Sequence, residues 1–181
     1  MSLAKKCLAA QHAPGGNVWT DRYHIRIGSY ARNQWVQDWS EPPGGYDAAS
    51  GEELWRAYAA KHWQTCLVRE AYQVPLMLDC SYSFVSPRDI DNPPAYEDEH
   101  VLAEPEGYWQ AWRHTTKLAC MDRHDRNINM VFLDWSVRRV GPKELWTLRW
   151  HRGYKTLNPW TKAGGVRPED WPEWMRKFKD Y

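Results

Sequence analysis

The sequence predicts an α+β domain, an antiparallel β-sheet with peripheral helices and an extended Trp-rich C-terminal tail. Three observations predict it. Around residues 23–36 apolar and polar side chains alternate with a period of two, as they do on a half-buried strand. Residues 128–140 read as two apolar strands joined by a turn. Capping-box patterns after Ser50 and after Asp170 open apolar stripes at helical spacing.

Taken in order, residues 1–22 are polar and punctuated by Pro14, Gly15 and Gly16, so they wander over the surface. Tyr23, Ile25 and Ile27 alternate with His24 and Arg26 and predict a strand over 23–36. Pro42, Pro43, Gly44 and Gly45 end it in a loop. Ser50 and Glu53 then cap a helix whose Leu54, Trp55, Tyr58 and His62 form one apolar face that packs Trp55 into the core.

Residues 74–79 predict a buried strand with Pro75 near its start, where no ladder hydrogen bond is demanded. The acidic, Pro-rich residues 89–106 predict a long loop. Residues 128–133 are apolar on both faces except Asn129, and residues 137–140 return as the second strand. With a two-residue loop, Phe132 lies opposite Val137 and joins Met130 and Ile128 on one face. A helix begins at Pro142 and carries Leu145, Trp146 and Leu148 toward Trp150. A second, capped by Asp170 and Glu173, buries Trp174, Met175 and Phe178. Residues 142–181 are therefore a helix followed by a tail, and the whole of 1–181 is one domain.

Composition narrows the function. The 24 basic and 23 acidic residues leave no global field to hold a polyanion, which argues against a nucleic-acid partner. No apolar run approaches the roughly 20 residues of a membrane span, and Met1-Ser2-Leu3-Ala4-Lys5-Lys6 lacks the pattern of a secretory signal. The cysteines Cys7, Cys66, Cys80 and Cys120 include no C-x-x-C pair, so a zinc site is not expected from their spacing.

At the predicted hairpin the chain resembles the pseudopilin-like proteins that carry the prepilin-type processing-associated domain, whose signature is a histidine, nine residues, then Asp-Gly. Here His124 is followed by nine residues and then Asp134. The resemblance extends to Gly28-Ser29-Tyr30 with Asn33, to Leu78-Asp79-Cys80 and to Lys143-Glu144-Leu145-Trp146 with Trp150-His151-Arg152. It also covers Pro159-Trp160-Thr161-Lys162-Ala163-Gly164-Gly165 and the tail from Asp170 to Met175. The chain departs from the signature at Trp135, which stands where the family has glycine, so the turn is longer than a type I′ turn or of another type.

The resemblance implies a non-enzymatic structural subunit, the head of a pseudopilin in a type II secretion or type IV pilus-like filament. Its partners are then other pseudopilin subunits and proteins of the secretion apparatus. It implies a periplasmic domain whose parent is held in the inner membrane by an N-terminal apolar helix not found in this sequence, with residues 1–3 as a vector leader. In an oxidising periplasm Cys80, at the end of one strand, and Cys120, shortly before the hairpin, are candidates for a disulfide across the sheet.

Two sets of residues invite chemistry. A His beside two carboxylates, here His124, Asp125 and Asp134, is a common ligand or catalytic set. No nucleophile elbow, H-E-x-x-H or phosphate loop accompanies it, so the favoured reading is structural: Asp134 accepts turn donors and His124 fixes the start of the strand, with no catalytic residue and no cofactor. In the acidic loop Asp89, Asp91, Asp98 and Glu99 supply the hard oxygens that calcium prefers, without EF-hand spacing. Related secretion pseudopilins stabilise a loop with calcium, but a solvated charge run remains the favoured reading. The 13 Trp predict packing, with an exposed aromatic platform for carbohydrate or exported protein as the rival.

Overall fold

The computed structural model describes residues 30–36, 59–81, 84–97 and 115–181. The leader, residues 23–29 of the first predicted strand, the Ser50 capping box with Trp55, and Asp98 and Glu99 lie outside these residues.

Five strands form one sheet: β1 (Tyr30–Asn33), β2 (Pro75–Asp79), β3 (Phe84–Val85), β4 (Ile128–Phe132) and β5 (Val137–Val140), in the order β3-β1-β2-β4-β5. All neighbours are antiparallel except β1 and β3, which run parallel. The sheet is therefore mixed, a correction to the antiparallel expectation that comes from the two-residue β3 docking beside β1. Period-two alternation gives it an inner and an outer face. Ala31, Leu78 and Met130 share one inner row and are fully buried, whereas Arg32, Met77, Val131 and Val137 share an outer row.

Pro75 opens β2 as expected, and the register slips between Pro75 and Met77. The irregularity is caught by the buried Asn33, whose side-chain amide donates to Pro75 O at 2.9 Å and to Trp150 O at 3.0 Å. One buried amide thereby ties β1, β2 and the tail together, and each of its donors is matched.

Among the described residues the inner face is covered by short 3₁₀ turns and extended chain. Leu145, Trp146, Leu148, Trp150, Trp171, Met175 and Phe178 pack there against the sheet. The helix expected from Pro142 is a 3₁₀ turn, Pro142–Thr147, ending at an extended Leu148. Tertiary bonds override helical spacing here. Arg149 N donates to Gln73 O at 2.9 Å instead of continuing the helix, and the Leu145 carbonyl is satisfied by the Trp150 indole at 2.7 Å.

The C-terminal helix likewise resolves into two turns, Pro168–Asp170 and Glu173–Met175. Pro172 disfavours helical backbone at the residue before it, and Trp171 is extended (φ −75°, ψ 145°). Asp170 consequently caps backward, accepting from Arg167 N at 2.8 Å, rather than starting a helix.

The tail is locked at its end. Buried Lys143 reaches Asp180 at 2.7 Å and lies 5.0 Å from the Trp171 ring centre, while Lys162 N donates to Tyr181 O at 2.7 Å. Gly164 is required by space: a Cβ there would sit 1.8 Å from the Asn158 carbonyl oxygen.

Candidate functional site

His124 and Asp134 stand at opposite ends of β4 and do not meet. Left-handed Asp125 (φ 52°) and Arg126 (φ 64°) fold the chain back before the strand, and His124 N donates to Asn127 O at 2.8 Å. This turn aims the half-exposed imidazole at the end of β2. His124 Nε2 donates to Asp79 Oδ2 at 3.0 Å, and the same oxygen accepts Asn129 N at 2.7 Å. Arg123 approaches the other oxygen of Asp79 at 3.7 Å, so this carboxylate, 1% exposed, is surrounded by donors. The histidine thereby links the segment before β4 to the end of β2.

At the far end Asp134 Oδ1 accepts Ser136 Oγ at 2.6 Å and Ser136 N at 3.0 Å. The Ser136 hydroxyl, with the backbone bond behind it, holds the Asp134 carboxyl below the usual carboxylate range. The turn differs from the two-residue expectation. Val131 faces Val137, Phe132 N donates to Ser136 O, and Trp135 N donates to Phe132 O at 2.9 Å. The loop is therefore Leu133 to Trp135, with Trp135 in the left-handed region at φ 66°. That is the conformation glycine adopts most readily, at the position where the signature has glycine. The Trp135 ring is 77% exposed.

The acidic loop is ordered where it is described, and indoles hold it. Trp35 Nε1 donates to Pro87 O at 3.0 Å, Trp146 Nε1 to Asp91 O at 2.8 Å and Trp174 Nε1 to Pro94 O at 2.9 Å. A Pro-rich segment has few ladder partners for its carbonyls, and these three donors supply them. Of the eight described tryptophans, Trp35, Trp146, Trp150 and Trp171 are fully buried and Trp63, Trp160 and Trp174 pack partly buried on the core. Trp135 alone among them is exposed, so packing accounts for the rest.

Asp91 is committed internally rather than offered to a cation. Its Oδ2 accepts Thr116 Oγ1 at 2.8 Å and Thr116 N at 3.2 Å, and Arg88 Nε lies 3.4 Å from Oδ1. Burial raises its pKa against these hydrogen bonds. Of the other calcium candidates, Asp89 lies in the same loop. Among the described residues no group of three or more metal-binding side chains assembles.

A second cluster had no signal in the sequence, because its members lie far apart in the chain. The Trp35 ring centre lies 5.1 Å from that of His62 and 4.8 Å from that of His151, and His151 lies 5.4 Å from Tyr154. His151 is 2% exposed, its Nδ1 accepts Gly153 N at 3.1 Å, and its Nε2 makes no hydrogen bond among the described residues. Accepting at Nδ1 assigns the proton of the neutral ring to Nε2. Burial, with the positive charges of Lys61 and His62 behind it, pushes the His151 pKa down to about 4. Burial and the negative charges of Asp91 and Asp89 raise that of Tyr154. This cluster is an aromatic hub, clipped on one side where Arg152 N donates to Lys61 O and Trp63 Nε1 to Trp150 O.

The candidate Cys80–Cys120 disulfide is not formed. Both side chains are buried, Cys80 Sγ donating to Leu118 O at 3.1 Å and Cys120 Sγ lying 4.0 Å from Met175 Sδ. Burial pushes the Cys120 thiol up, which disfavours the reactive thiolate. No family model, curated protein or solved structure matches the chain.

Proposed function

We propose that this chain is a non-enzymatic structural subunit, the head of a pseudopilin in a type II secretion or type IV pilus-like filament. The signature hairpin carries the reading. His124 is spent on Asp79, Asp134 is spent on Ser136, and Trp135 keeps the left-handed backbone of the glycine it stands for. All three act as scaffold for β4 and β5, which is what a packing subunit requires and what a catalytic pair would not do from opposite strand ends. In this reading the parent has an N-terminal apolar helix in the inner membrane, the head lies in the periplasm, and its partners are other pseudopilin subunits and the secretion apparatus. The test is the reading frame upstream of Met1. A prepilin cleavage motif followed by about 20 apolar residues supports the proposal, and a frame without them overturns it.

A binding module is the second reading, favoured by the exposure of Trp135. An indole on a hairpin tip is suited to stacking on a sugar ring. Saturable quenching of Trp fluorescence by glycans, lost in Trp135→Gly, would establish it.

A further inference from the structure

Two surfaces of the molecule differ in charge. On the outer sheet face Met77 and Val137 flank Val131 in one row and are 46% and 69% exposed, with Trp135 two residues before Val137 at the hairpin tip. The exposed charges on and beside this face are Arg32, Arg126 and Arg139 against Asp125, which Arg139 approaches at 4.0 Å, and Asp134, a small basic excess. Trp135 is held in left-handed backbone although its ring packs little within the chain, and strain kept without internal packing points to an external role. The loop that leaves β3 exposes Ile90 (65%) and Tyr96 (50%) beside Asp89 and Glu97. Arg88, the one basic residue among the described residues of that loop, turns its guanidinium to the buried Asp91.

We infer that the outer face and hairpin tip of one copy bind the acidic loop of a second copy, so that heads associate head to tail. The inference rests on the subunit reading and assigns the faces through which heads meet. Opposite charge around apolar centres selects register and partner. Because the two faces differ, the contact is heterologous and propagates rather than closing as a dimer.

Sedimentation velocity of the 181-residue chain at low ionic strength, raised to about 1 mM, tests it. The expected result is open-ended growth with concentration that weakens in salt. Trp135→Gly, which removes backbone strain and so keeps the fold, weakens association about tenfold. Arg32→Glu and Glu97→Lys each suppress growth, and their equimolar mixture restores it, since the unaltered faces of the two chains match and the two altered faces again carry opposite charge. A chain that stays monomeric, or assembly indifferent to all three substitutions, overturns the inference. The subunit reading stands or falls separately on the upstream frame.

Discussion

Acid should release the tail from the sheet through one histidine. His151 is neutral in the fold, with a pKa near 4 against 6.5 for the free side chain, so the unfolded chain binds its proton more readily. The stability this residue contributes is complete above pH 6.5 and is lost as pH falls toward 4. A depression of this size amounts to about 1.4 kcal/mol lost at pH 5.5 and about 3 kcal/mol at pH 4. The group is almost fully buried, so solvent screening does not reduce the figure much. Protonation at Nδ1 also removes the acceptor of Gly153 N. The assay is urea unfolding at pH 7.5, 5.5 and 4.0 for the wild type and for His151→Asn, whose amide oxygen can still accept from Gly153 but does not titrate. Carboxylates contribute equally to both proteins, so the difference between them isolates the imidazole. Equal losses of stability in the two proteins over this range would refute the reasoning.

Three further outcomes follow from the packing. Trp135→Gly should raise stability by about 1 kcal/mol, because left-handed backbone costs a non-glycine residue about 1–2 kcal/mol and the exposed ring offers little burial to lose; a shift of the urea midpoint upward checks it. Gly164→Ala should cost about 2 kcal/mol or more, since the new methyl meets backbone at 1.8 Å and the Asn158 turn must move; thermal melting measures it. Asp180→Asn should cost about 2 kcal/mol by leaving the buried Lys143 ammonium without its counter-charge, and Lys143→Met in the same background should recover most of that, in a double-mutant unfolding cycle.

What was legible in the sequence was local. Apolar runs and the turn between them place β2, β4 and β5 within a residue or two, and Pro75 marks the start of β2. The partner of Asp134, Ser136, is two residues away, within reach of a local reading. The hairpin register is offset by one residue from that of a two-residue loop because Trp135 adopts a conformation that its residue type disfavours. Helical spacing after Pro142 was genuine, but the apolar residues serve a 3₁₀ turn and an extended chain once Gln73 captures Arg149. Asp79 as the partner of His124, and the ring cluster of Trp35, His62, His151 and Tyr154, depend on contacts between distant segments. Such contacts leave no trace in spacing.

The indole props on the Pro-rich loop set an order of events during synthesis. Their donors come from β1's end, from the turn after β5 and from the last turn of the chain, so the loop's carbonyls remain without these partners until Trp174 has been made. Lys143 and Lys162 wait longer still, for Asp180 and Tyr181. A nascent chain can therefore form the β4–β5 hairpin early, from neighbours in sequence, but must keep its inner sheet face open until residues as far as Tyr181 have emerged. Closing comes as a single late event, and a chain cut before Trp174 would present an uncovered apolar sheet to chaperones and proteases.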